Sequence, residues 1–180
     1  MRKRSDNGNT RVAERLSETV RRQDAEYKAG AERPLGGYLG LLSTYGAFVG
    51  AGAIALRRHG LPDSLSWSDV ALISVATHKL SRLLAKDPVT SPFRAPFTRF
   101  QGPAGEGELN EEVRASGAAH AVGELVTCPF CLGQWVATGF IFGLVLAPRA
   151  TRLAATVFTA LTASDFLQLA YAGAIHGVEG

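Results

Sequence analysis

The sequence predicts an all-α fold, a polytopic membrane bundle of four transmembrane helices accompanied by short amphipathic helices. Two observations carry that expectation. Charge is segregated: no Asp, Glu, Lys or Arg lies between Arg33 and Arg57 or between Glu124 and Arg149, and only Asp165 lies between Arg152 and Glu179. A mean hydropathy of +0.06 hides this segregation. A soluble domain scatters charge along its exposed helix faces, whereas a helix crossing ~30 Å of hydrocarbon needs about 20 largely apolar residues. The second observation is punctuation: Gly60 with Pro62, the Pro-rich run 88–103, and Pro148-Arg149 separate the apolar stretches.

Taken in order, residues 1–33 form a charged, partly disordered cytoplasmic tail, and residues 34–178 form the membrane domain. Within the tail, residues 1–10 are polar, and residues 11–28 place Val12, Leu16, Val20 and Tyr27 on one face of a weak amphipathic helix. That helix suits either an anionic membrane surface or water. The first span covers 35–56, and its Gly36/Gly40 and Gly46/Gly50 pairs read as packing positions.

Residues 69–86 form the second span, capped by Ser68 or Asp69. Its later half carries His78, Lys79 and Arg82, so an interfacial helix is the alternative. Residues 87–127 are a cytoplasmic loop. Its prolines and glycines argue against a regular element over 87–108, and Phe93, Arg94, Phe97, Arg99 and Phe100 suit headgroup level. A short helix is expected over 109–126, opened by Asn110 with Glu111 and Glu112 in its first turn. The third span covers 128–147, with Thr127 as its N-cap, and the fourth covers 153–175.

With the N-terminus inside, thirteen Lys and Arg face the cytoplasm and four face outward. That asymmetry sets the orientation. The net charge of +3 therefore has a reading in lipid topology, and no aromatic-rich basic face suits nucleic acid. The partner indicated is the lipid bilayer; a homo-oligomer is compatible, and no protein partner is indicated.

Two constellations could carry chemistry. Cys128 and Cys131, the chain's two cysteines, open the third span with Pro129 between them. One reading is a redox dithiol, favoured by the positive end of a helix. A second is a metal site, with zinc as the candidate. It needs four ligands, so His120 or a second copy would have to join. The third is a packing feature of the helix start. The other constellation is intramembrane: His78 and Lys79 on the second span and Asp165 on the fourth. His78 and Asp165 each lie one residue past their span midpoints, Lys79 is ~1.5 Å deeper and Arg82 ~6 Å deeper. Asp165 is thus expected to pair with His78 or Lys79, as an interhelical clamp rather than a proton relay, and Arg82 to snorkel to the headgroups. Glu124 and His120 share a helix face before the cysteines.

The run Arg82-Leu83-Leu84, then Asp87, Pro92 and Arg94, then Cys128-Pro129-x-Cys131-x-Gly133-x-Trp135, resembles domain-of-unknown-function family thirteen-sixty, a group of small bacterial integral membrane proteins. The resemblance spans about residues 65–170. It implies a membrane protein and supplies no reaction, cofactor or partner. It suggests that the polar run on the second span and the cysteine block form one module, with Gly133 allowing close packing and Trp135 anchoring at the interface. No catalytic residue is assigned. The expected function is a structural or accessory component of the bacterial cell membrane. The alternatives are a redox or metal-binding protein working through Cys128 and Cys131 and, more weakly, a small transporter component using Asp165 and His78.

Overall fold

The computed structural model describes residues 15, 18–19, 22–27, 33–61 and 64–179. Within the tail, residues 15, 18, 19 and 22–27 are helical. The expected disorder over 1–10, the apolar positions Val12, Leu16 and Val20, and the breaker Pro62 lie outside the described residues.

Three long helices correspond to apolar stretches: α1 (Leu35–His59), α5 (Pro129–Leu146) and α6 (Pro148–Glu179). Each is long and apolar enough to cross a membrane. The second expected span is also a helix, α2 (Trp67–Lys86), but falls outside that apolar set because it carries more polar residues. Ser66, not Ser68 or Asp69, caps it: its Oγ accepts from the Asp69 amide at 3.0 Å. Pro148 ends α5 as expected and then begins α6, since proline suits a first helical turn.

The segment between α2 and α5 departs from the all-α expectation. A 3₁₀ turn (Pro88–Thr90) runs into a one-turn helix, α3 (Ser91–Arg94), followed by antiparallel strands β1 (Thr98–Gly105) and β2 (Glu108–Val113) and by helix α4 (Ala118–Thr127). The helix expected from Asn110 is therefore a strand, and α4 begins eight residues later. Gly107 in the hairpin turn has φ +71° and Gly117 before α4 has φ +60°, values that side chains beyond glycine rarely adopt. Pro103 is tolerated in β1 because a two-stranded ribbon leaves each strand one free edge.

The core lies where α2, α5 and α6 meet. Ile73, Ala76, Phe140, Leu144 and Ala155 are buried there, with Leu72, Leu80, Val136, Ile141 and Phe158 packed around them. α2 is the central helix, packing chiefly on α5 and α6, while α1 packs on α4 and α5. By contrast, Leu42 and Ile54 on α1 and Leu153, Leu167 and Tyr171 on α6 are more than half exposed. Apolar exposure on this scale marks a surface that faces something other than water.

The glycine pairs read as packing positions contact nothing: a Cβ at Gly36, Gly40, Gly46 or Gly50 would meet no atom within 4 Å. The glycines that permit close approach are others. A Cβ at Gly37 would lie 2.9 Å from the Cβ of Ala121 on α4, and one at Gly123 would strike Val113 of β2 at 2.6 Å.

Candidate functional site

The polar side chains form pairs at three levels along α2. At the end where α2 begins, Arg152 of α6 donates to Asp69 through Nε (2.7 Å) and Nη2 (2.8 Å). Near the middle, Lys79 Nζ lies 2.6 Å from Asp165 Oδ2. At the end where α2 stops, Arg82 makes a two-pronged contact with Glu108 of β2, at 2.8 and 2.6 Å. Asp165 is thus brought to Lys79, while His78 is exposed and outside the pair. Arg82, expected to reach headgroups, is engaged by a carboxylate because the hairpin folds back over it.

Arg94 corrects the headgroup expectation most sharply. It is 1% exposed and is the largest fully buried side chain among the described residues. Its Nε donates to Glu111, itself nearly buried. Nη1 donates to the Leu84 carbonyl (2.8 Å) and Thr90 Oγ1 (2.6 Å), and Nη2 to the Asp87 carbonyl (3.0 Å) and Ser91 Oγ (3.3 Å). The planar five-donor guanidinium suits such a site. Asp87 sets the corner: its carboxylate accepts from the Val89 amide at 2.8 Å and starts the 3₁₀ turn. Arg94 thereby ties the end of α2, the turn and β2 into one unit.

Beside this unit, Glu124 of α4 accepts from Arg33 Nη1 (2.7 Å) and the Tyr38 hydroxyl (2.5 Å), linking α4 to the start of α1. His120 Nε2 lies 3.5 Å from Glu124, and its Nδ1 lies 3.0 Å from the Ala115 carbonyl. One turn further on, α4 gives way to α5 at the cysteines. Cys128, not Thr127, is the N-cap of α5: its Sγ accepts the Cys131 amide at 3.2 Å. Thr127 instead donates to the Gly123 carbonyl at 2.9 Å within α4. Both cysteines are free thiols, with their Sγ atoms 2.6 Å apart.

Gly133 faces α2 at ordinary contact distance: an added Cβ would lie 3.9 Å from Ser81 Oγ. Trp135 meets Tyr45 edge-on at 5.0 Å and stacks on Phe48 at 5.9 Å, so it packs α5 against α1. Among the described residues, no group of three or more His, Cys, Asp or Glu is placed to hold a metal. The described residues therefore offer zinc two sulfurs, short of the four ligands a structural site takes.

An open cleft of about 380 Å³ lies where α2 begins, lined by His59, Leu65, Asp69, Leu144 and Arg152 among others. Its two charged groups already satisfy each other. Sequence reasoning missed the Asp69–Arg152 and Arg94–Glu111 pairs. The first had a signal: parallel α2 and α6 with Asp165 opposite Lys79 bring Arg152 within a turn of Asp69. The second had none, because it depends on the hairpin.

The helices and their paired charges define a helical protein suited to membrane association, with a small hairpin set against one end of the bundle. The chain belongs to the family described as protein of unknown function (DUF1360), whose model matches residues 72–171. That stretch runs from α2 into α6 and contains the Lys79–Asp165, Arg82–Glu108 and Arg94–Glu111 pairs and both cysteines. A sporulation protein, YjcA of Bacillus subtilis (strain 168), is 29% identical over 86 residues, covering 46% of this chain and 73% of the relative. No solved structure matches the chain.

Proposed function

We propose that the chain is a four-span membrane protein with its N-terminus in the cytoplasm, acting as a structural or accessory component of the bacterial cell membrane. The observation that supports a fourth span is register. Arg152 meets Asp69, the Thr159 hydroxyl donates to the Leu72 carbonyl at 3.2 Å, and Asp165 meets Lys79. α2 therefore runs parallel to α6 over at least ten residues, ~15 Å of helix. If α6 crosses the bilayer, α2 lies at the same depth. Its charged residues Asp69, Lys79 and Arg82 do not argue against this, because each is paired, while His78 lies on its exposed face.

An accessory role is supported by how the polar groups are used. Among the described residues, every buried side-chain nitrogen or oxygen has a hydrogen-bond partner, and the paired charges hold elements together rather than converging on an open site. The relative carries sporulation in its name, which assigns this chain no chemistry. The Lys79–Asp165 pair acts as a clamp, since one pair does not make a transport pathway.

Reporter fusions test the topology. A periplasm-dependent reporter after Gly180 should stay silent, and one inserted between α1 and α2 should be active. Activity at Gly180 would overturn the four-span reading.

A further inference from the structure

We propose that Cys128 and Cys131 form a reversible dithiol–disulfide couple that exchanges with small-molecule disulfides. The two thiols are free and their sulfurs lie 2.6 Å apart, on the same face of the first turn of α5. They are already opposed, so pairing needs no movement of one element past another. The Cys131 amide donates to the Cys128 sulfur at 3.2 Å. That sulfur also caps the positive end of α5. This placement at the helix start points to Cys128 as the attacking sulfur and Cys131 as the resolving one. Cys131 is exposed and Cys128 partly so, which leaves the pair open to a reagent. The neighbouring turn of α4 carries the Glu124–Arg33–Tyr38 cluster, a polar setting in which a water-borne disulfide can approach.

The exchange proceeds in two steps. The Cys128 thiolate attacks one sulfur of a disulfide RSSR; a Cys128–SR bond forms, the RS–SR bond breaks, and the released RS⁻ takes up a proton. Cys131 then loses its proton and attacks the Cys128 sulfur, forming the intramolecular disulfide and releasing the second RSH. The pair gives up two electrons, and RSSR becomes two RSH.

The test uses the full chain in detergent, equilibrated with mixtures of reduced and oxidised glutathione, quenched in acid and counted for free thiols with a mass-tagged maleimide. The wild-type protein should hold either two free thiols or none, and the ratio of oxidised to reduced protein should scale with the oxidised glutathione concentration divided by the square of the reduced glutathione concentration. Cys131→Ser should accumulate a glutathione adduct on Cys128, at least about tenfold faster than Cys128→Ser does on Cys131. Singly labelled wild-type protein as the main species, disulfides only between chains, or no oxidation in excess oxidised glutathione would each overturn the proposal. Equal adduct formation by the two variants would overturn the assignment of Cys128 as the attacking sulfur. The wild-type titration needs no substitution, so it stands even where a variant fails to fold.

Discussion

Replacing Arg94 by methionine probes the contact on which the end of the bundle depends. The perturbation removes a guanidinium that is 1% exposed and donates to five acceptors on α2, the 3₁₀ turn, α3 and β2. Methionine fills part of the volume, so the loss is chiefly electrostatic. Glu111, whose side chain is 6% exposed, would be left as an uncompensated buried carboxylate. Breaking one partner of a buried pair costs about 3–5 kcal/mol. At roughly 2–4 °C per kcal/mol for a chain of this size, the melting temperature in detergent should fall by at least about 6 °C. Limited proteolysis should also begin to cut within 98–113, because the hairpin keeps only the Arg82–Glu108 contact as a charged tie to α2. Arg94→Met combined with Glu111→Met should lose less than the two single changes added together, by about 1 kcal/mol or more, because the charges compensate each other. A single-variant loss under about 0.5 kcal/mol, or strict additivity in the double variant, would refute the reasoning that the Arg94–Glu111 pair holds the end of the bundle.

Other perturbations test separate contacts. Gly37→Ala should destabilise by about 1–3 kcal/mol, because its Cβ would press on Ala121 Cβ at 2.9 Å and the Ala118 backbone at 3.1 Å. Gly40→Ala, which meets open space, should be neutral or stabilising by up to about 1 kcal/mol; thermal melts in the opposite order would contradict the packing of α1 on α4. Lys79→Ala should cost about 1–2 kcal/mol or less, and exchanging the charges as Lys79→Asp with Asp165→Lys should recover much of that loss. No recovery would mean that the two residues do not meet across α2 and α6. Gly107→Val forces a β-branched residue to φ +71°, which should cost about 1–2 kcal/mol and speed proteolysis of the turn; unchanged cleavage would count against the hairpin.

Most helix positions were legible because long charge-free stretches report apolar helices directly. The expected spans 35–56, 128–147 and 153–175 each sit inside or within a residue of a helix. Boundaries slipped where tertiary contacts extended them: α6 begins at Pro148 rather than 153, so that Arg152 on its first turns reaches Asp69. The loop 87–127 was not legible. Its prolines and glycines read as irregular, and Asn110-Glu111-Glu112 reads as a helix start. Pairing with β1 and the arginines at positions 82 and 94 determine the outcome instead, and both are long-range. Glycine spacing misled for a related reason: regular pairs in α1 face outward, while isolated Gly37 meets the small residues Ala118 and Ala121, which periodicity within one helix cannot reveal.

The central position of α2 explains why it is the hardest of the expected spans to read. A helix that touches lipid on most of its surface must be apolar all round, and α1, α5 and α6 report themselves that way. A helix enclosed by its neighbours is freed from that requirement on the faces they cover, provided each polar group finds a partner there. α2 uses this freedom at three levels, meeting Arg152 through Asp69, Asp165 through Lys79 and Glu108 through Arg82. Each partner comes from a different position along the chain, and together they fix the register of α2 against α6 and against the hairpin. Low apolarity in α2 is thus a consequence of centrality. A charge reversal at Asp69, Lys79 or Arg82 should disturb the packing of α6 or the hairpin more than the same change at the exposed His78 beside them.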